Sequence, residues 1–274
     1  MAAYGQIPAF NPPGSKLSVD EVKIKRDQPL PIDSVQIIKD AIELAKAKPT
    51  EAIAYPIIFM MVFGFVYTMF SVVLQVVMLP ISVIAGPLAE IDETFAMIVT
   101  AGLFFVVVGI GMIIQIGLST IFNLAMYMFF LKIVRGQEVK IEDLKDLKPF
   151  IIPAILTMFL FSLATMGGFF LLVIPAYIFM LGFFYAPVLV IDKNLSPMNA
   201  MKGSWRLTDG NKVNILIYFL LAGLMNLAGM LACGVGMMLT FPITWIGMMM
   251  LYDKLAEPGN AYTGPTGGVA QVFS

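Results

Sequence analysis

Four stretches of the chain contain no Asp, Glu, Lys or Arg: residues 52–89, 94–131, 149–191 and 213–252. They are 38, 38, 43 and 40 residues long, whereas a single helical crossing of a bilayer needs about 20. Each is therefore long enough for one long tilted helix or for a tight pair of helices. The polar segments between them decide which. Seven basic residues precede position 50 (Lys16, Lys23, Lys25, Arg26, Lys39, Lys46, Lys48). Five lie in 132–148 (Lys132, Arg135, Lys140, Lys145, Lys148), four in 192–212 (Lys193, Lys202, Arg206, Lys212), and Lys254 completes the set. The 90–93 connector has Glu90, Asp92 and Glu93 and no basic residue. Cytoplasmic segments carry the Lys/Arg excess, so all the basic segments share one side only if the first two runs cross once each and the last two cross twice each.

This predicts an all-α integral membrane fold of six transmembrane helices, two long single crossings followed by two hairpins, with both termini cytoplasmic. The expected helices cover about 52–79, 95–131, 149–166, 169–191, 213–232 and 236–252. They form one membrane domain, 33–252, between a flexible Pro-rich cytoplasmic tail (1–32) and a flexible tail at 253–274. Gly167-Gly168 and Gly234-Val-Gly236 suit sharp turns inside the last two runs. Pro80 and Pro87 predict that residues 80–89 leave the first helix. A helix over all of run two would measure about 57 Å, so it should tilt, bend near Gly109 and Gly111, or project from the bilayer.

Three further segments are amphipathic and precede the spanning pairs. Residues 33–47 open at Asp33 or Ser34 and put Val35, Ile38, Ile42 and Ala45 on one face. In 140–147, Ile141, Leu144 and Leu147 recur every three residues. Residues 196–209 start with Ser196 as cap and Pro197 in the first turn, with Met198, Met201 and Trp205 as the apolar stripe. Lys202 and Arg206 can snorkel there, and Gly210 ends the helix. These are expected to be cytoplasmic helices at the membrane surface, and Met198, Met201, Trp205 and Arg206 the positions where a partner would dock.

Composition narrows the chemistry. Of 274 residues 59% are hydrophobic and 13% charged, about half the charged share of an ordinary soluble domain. The net charge of −1 argues against nucleic acid. With no histidine and the single Cys233, metal centres built from His or several Cys are excluded, as is an intrachain disulfide. The polar first thirty residues give no expectation of a cleaved signal peptide or a lipid anchor. Twenty-one methionines suit adaptable apolar packing better than copper, and Glu90, Asp92 and Glu93 suit a solvated turn better than a calcium loop. No phosphate-binding glycine loop or nucleophile elbow occurs. Asp192 and Asp209 are candidate catalytic carboxylates, but both adjoin helix ends where capping accounts for them; a lipid-headgroup enzyme would need them to converge with Glu142 in a cytoplasmic pocket. No catalytic, cofactor or metal site is therefore expected. Gln115, Asn123 and Asn226 are the amides that could line a polar path, although such amides usually bond between helices. Ala228, Ala232 and Gly236, four residues apart, allow two helix backbones to approach closely, within the chain or between copies.

From residue 120 to 252 the order of motifs is distinctive. Arg135-Gly136-Gln137-Glu138-Val139 precedes an amphipathic segment and a hairpin; Ala186-Pro187-Val188-Leu189-Val190-Ile191-Asp192 then leads to Ala200-Met-Lys-Gly-Ser204-Trp205-Arg206-Leu207-Thr208-Asp-Gly210-Asn211. This resembles the six-helix bacterial membrane proteins grouped with the membrane domain of glycerophosphodiester phosphodiesterases and with YciC-like proteins. The resemblance implies that fold and a bacterial inner-membrane location. It carries over no catalytic residue, because the family's phosphodiesterase activity belongs to a separate soluble module. The resulting expectation is a non-enzymatic scaffold or accessory subunit, with the lipid bilayer and a membrane-protein partner or second copy as its surroundings. The alternative is a facilitator or channel for a neutral or amphipathic solute or lipid.

Overall fold

The computed structural model describes residues 32–171, 173–232 and 235–256. The expectations for the two terminal tails, and for Cys233 and Gly234, fall wholly or largely outside these residues. The described chain is helical, without strands: α1 (Ser34–Ala47), α2 (Tyr55–Ile91), α3 (Glu93–Val134), α4 (Ile151–Leu171), α5 (Val173–Phe183), α6 (Ala186–Asp192), α7 (Pro197–Thr208), α8 (Lys212–Leu231) and α9 (Val235–Ala256). A π-helical turn, Thr50–Ala54, leads into α2, and a 3₁₀ helix, Ile141–Phe150, leads into α4. Five helical stretches among the described residues are long and apolar enough to cross a membrane: Thr50–Ile91, Glu93–Val134, Glu142–Gly168, Ile174–Asp192 and Lys212–Leu231.

The chain forms two compact units. Residues 58–122 make one, a pair of apolar helical segments from α2 and α3. Phe59 and Phe63 stack on Phe122, with ring centroids 5.6 and 4.4 Å apart. Farther along, Leu74 packs on Gly111, where an added Cβ would come within 2.8 Å of it. Gln115 bonds to the Tyr67 hydroxyl. Most other large side chains here are exposed, among them Phe65, Val76, Val83, Phe105 and Ile113. Such all-round apolar exposure is what a helix presents to lipid rather than to water.

The other unit comprises residues up to 57 and from 123 onward. Its core is built from Leu124–Val134, Ala186–Ile191 and Ile246–Tyr252. Consecutive Met248, Met249 and Met250 are buried there, as flexible apolar filler. Helix α1 packs against α8 and α9. Asp33 caps it by accepting from the amides of Val35 and Gln36 at 2.9 and 3.1 Å. The face it buries is Ser34, Ile37, Ala41, Leu44 and Ala45, while Val35 is exposed. The small Ala41 and the Ser34 hydroxyl, which donates to the Asn214 carbonyl at 3.1 Å, suit close packing better than the bulkier stripe expected from hydrophobicity.

Several expected boundaries shift for identifiable reasons. Pro80 and Pro87 lie inside α2 rather than ending it; each removes one hydrogen bond, whereas unwinding in an apolar environment would strand several backbone groups. Gly167 and Gly168 lie inside α4, not at a turn. A Cβ on Gly168 would fall 2.7 Å from the Ala176 backbone, so this glycine lets α4 and α5 touch. The three-residue spacing of Ile141, Leu144 and Leu147 belongs to a 3₁₀ helix, whose turn is three residues. Ser196 sits at the N-cap of α7 without making the side-chain bond. The last helix runs beyond 252 to Ala256, carrying Asp253 into the interior.

The Gly168 contact generates a stability prediction. Gly168→Ala should destabilise the protein by about 1–3 kcal/mol, because the Ala176 backbone cannot yield as a side chain could. Gly167→Ala, with nothing within 4 Å, should be neutral or slightly stabilising. Thermal unfolding of the two variants in detergent distinguishes them.

Candidate functional site

Helix α7 is seated on a break between α5 and α6. The residue at N2 of α6, Pro187, has no N–H, so the helix cannot continue its bonding through Phe184-Tyr185. Helix α7 supplies what is missing. Ser204 Oγ donates to the Gly182 carbonyl at 2.8 Å and accepts from the Tyr185 amide at 3.2 Å. Thr208 Oγ1, 3.4 Å from the same carbonyl, also bonds its own helix. Backbone groups freed by an interrupted helix in an apolar setting need such side-chain partners. Gly182 has a second task, since a Cβ there would run into the Trp205 ring. Trp205 thus lies on the α5 backbone, with its ring 5.2 Å from that of Phe183 and 6.1 Å from that of Phe179.

The two faces of α7 do different things. Ala200, Gly203, Ser204, Leu207 and Thr208 are buried against the neighbouring helices. Met198, Met201, Lys202, Trp205 and Arg206, with Leu160 and Ala164 of α4 and Phe183 of α5, line an open groove of about 460 Å³. Its walls are mostly apolar, Lys202 and Arg206 are exposed, and Met198 is 53% exposed. At the edge of Trp205, Lys212 Nζ lies 4.4 Å from the ring centre and 3.2 Å from Asp209 Oδ1.

A buried ionic cluster joins three helix ends in the same unit. Gly136, at φ +71°, ends α3 just after Arg135. The Arg135 guanidinium grips Asp192 at the end of α6 with two bonds, 2.5 and 3.1 Å, and donates from Nε to Asp253 of α9 at 2.9 Å. Tyr252 donates its hydroxyl to Asp192 at 2.8 Å, and Lys193 Nζ lies 3.5 Å from the same carboxylate. The three charged side chains are only 10%, 5% and 12% exposed. Burial opposes the Arg135 charge, but Asp192 and then Asp253 more than offset this and raise its pKa above the ordinary range. A planar fork between two carboxylates is the geometry guanidinium satisfies and ammonium does not.

Of the positions expected to matter, Met198, Met201, Trp205 and Arg206 come together in the groove. Gly236 faces Gly229, whose carbonyl would lie 2.6 Å from a Cβ, with Ala232 beside it, so this pair closes the α8–α9 hairpin. Ala228 is on the exposed side. The amides are not gathered: Gln115 bonds to Tyr67 in the 58–122 unit, while Asn226 donates to Thr244 Oγ1 at 3.3 Å and its Oδ1 is buried without a partner. Asn123 is half-buried at the start of the other unit's share of α3. Asp192 is committed to Arg135, Asp209 is bonded to Lys212, and Glu142 is exposed.

Residues 147–274 match the family model of a domain of unknown function, DUF7847. That span holds every residue lining the groove, together with Asp192, Tyr252 and Asp253, but not Arg135. No curated protein and no solved structure matches the chain. The comparisons therefore give an unassigned domain and no link to glycerophosphodiester phosphodiesterase membrane domains or YciC-like proteins.

Two pairs of variants separate fasteners from bystanders. Arg135→Gln removes the guanidinium shared by two buried carboxylates and should cost about 3–5 kcal/mol; Glu138→Gln, at an exposed position, should change nothing measurable. Ser204→Ala should cost about 1–3 kcal/mol by orphaning the Gly182 carbonyl and the Tyr185 amide, whereas Ser196→Ala should have no effect. Unfolding midpoints in detergent read both comparisons.

Proposed function

We propose that this protein is a non-enzymatic, six-span protein of the cytoplasmic membrane of a bacterium, acting as a scaffold or accessory subunit, with its N- and C-terminal segments on the cytoplasmic side. Support for the two-hairpin part of the topology is geometric. Arg135 touches both Asp192 and Asp253, which supports a return of the chain to one level at all three. In this reading the segments between them cross an even number of times, α4 with α5–α6, and α8 with α9. The acidic turn at Glu90, Asp92 and Glu93 supports placing the α2–α3 connection on the opposite side.

The observation that carries the accessory role is the apolar length of α2 and α3. The helical stretches Thr50–Ile91 and Glu93–Val134 each contain a charge-free run of 38 residues, about 57 Å as a helix. Even at a tilt of about 40°, the largest ordinarily seen, a 30 Å hydrocarbon core covers roughly 26 residues. About a dozen apolar residues per helix then need another cover, and a helical membrane partner supplies it. Polar chemistry argues the same way, because the most buried charges are spent on joining helix ends. The facilitator alternative rests on Gln115, Asn123 and Asn226, of which Gln115 and Asn226 are engaged by neighbouring helices.

A photo-crosslinker placed singly at Val76, Phe105 or Ile113 in native membranes tests this reading. The expected result is a discrete protein adduct, identifiable by mass spectrometry, together with co-purification of the same protein in mild detergent. Lipid-only adducts at all three positions, with the chain isolated as a lone monomer, would contradict it.

A further inference from the structure

Helix α1 carries more apolar surface than its seat on α8 and α9 uses. Ser34, Ile37, Ala41, Leu44 and Ala45 make the buried face. At about 100° per residue, Ile38, Ile42 and Val35 come next around the helix, then Lys46 and Lys39, and only then Glu43. Gln36, Ala47 and Asp40 occupy the opposite flank. Ile38 and Ile42 are half-buried, and Val35 is 50% exposed. Lys39 and Lys46 are exposed, and among the described residues neither has an acidic partner; Asp40 accepts from Gln36 at 2.7 Å instead. A helix with water on all its outer sides has no use for one apolar flank topped by cations. A helix lying along a bilayer uses both, with the flank against acyl chains and the lysines reaching up to the headgroups.

Both ends of α1 are fixed where long apolar helices begin. Ser34 donates to the Asn214 carbonyl at 3.1 Å, two residues into the stretch Lys212–Leu231. After Lys48 and Pro49 the chain enters the stretch Thr50–Ile91. Resting on the reading of both stretches as membrane spans, this puts α1 at the level of the headgroups. We propose that α1 is an anionic-lipid contact of the cytoplasmic leaflet. Val35, Ile38 and Ile42 lie at the boundary between acyl chains and headgroups, and Lys39 and Lys46 attract the phosphates of anionic phospholipids. Charge and area choose this occupant. Two unpaired ammonium groups call for anions, and a zwitterionic lipid brings its own cation toward them. A flank of three side chains suits a fluid apolar layer, whereas a stable protein interface takes roughly 800 Å² from each partner.

The test uses the full chain, with Cys233 replaced by Ala, in nanodiscs of phosphatidylcholine and phosphatidylglycerol. A bimane label is attached through V35C, E43C or L220C, the last at an exposed position of α8, and either lipid is supplied with brominated acyl chains as the quencher. At position 35 the relative association constant should favour phosphatidylglycerol by about tenfold to thirtyfold, the gain expected of two lysines near anionic headgroups. Position 220 should be quenched by both lipids alike, and position 43 by neither. K39Q should cut the preference at 35 about fivefold, and K39Q/K46Q should abolish it. K145Q/K148Q, which removes two exposed cations elsewhere, should leave it unchanged. Equal quenching by the two lipids at 35, or equal losses in the two double variants, would overturn the proposal. Quenching at 220 without quenching at 35 would overturn it while sparing the spanning reading; no quenching at either position would overturn both. A polypeptide adduct from a photo-crosslinker at position 35 in native membranes would also overturn it, by giving the flank to a protein.

Discussion

Arg135 is the point at which the rest of its unit is tied together. Its guanidinium joins the end of α3 to the end of α6 and the end of α9, three places separated by 57 and 118 residues from the arginine or within its own turn. An ion cluster of this kind adds little net stability over well-packed apolar groups, since desolvation takes back most of the attraction. Its value lies in register. An apolar helix can slide against another with little change in energy, but a fork held between two carboxylates permits one arrangement. Gly136, which turns the chain immediately after it, leaves Arg135 just past the C-terminal end of α3, where a cation also complements the helix dipole.

A second constraint acts where the α5–α6 run is interrupted. The backbone there gives up helical bonds, and Ser204 with Thr208 replaces them from α7. Gly182 then admits the Trp205 ring onto the backbone. One consequence is that α7 is more than an amphipathic helix resting on a surface: its small-residue face is committed to the interior. The remaining face, with Met198, Lys202 and Arg206, is thereby turned toward the groove. The same residues that make the break tolerable also fix which face of α7 lines the groove, which links backbone satisfaction in the fold to the shape of the candidate site.

Much of the architecture was legible because charge-free runs and helix signals are local. The ends of α1 and α7, the Asp33 cap and the Gly210 stop follow directly from residue type. The turn within 149–191 was misplaced at Gly167-Gly168, because a glycine that allows two helices to touch and one that allows a turn look the same in sequence. Pro80 and Pro87 misled for a related reason: proline breaks helices in water more readily than where no water can take up the freed groups. Asp253 was invisible as a core residue because an acidic residue after an apolar run ordinarily marks its end; the partner that helps bury it, Arg135, is distant in sequence. The groove was half legible. Met198, Met201, Trp205 and Arg206 share a helix face, but Leu160, Ala164 and Phe183 join them through long-range packing that no local pattern encodes.

In the topology we propose, the helix ends gathered around Arg135 lie on one side of a bilayer and the α2–α3 turn on the other. Substituted-cysteine labelling in intact and permeabilised cells, in a chain whose Cys233 is replaced by Ala, tests it most directly. The account predicts that positions 140 and 202 react only after the cytoplasmic side is opened, and that position 92 reacts from outside. Labelling of 140 and 202 from opposite sides would contradict it.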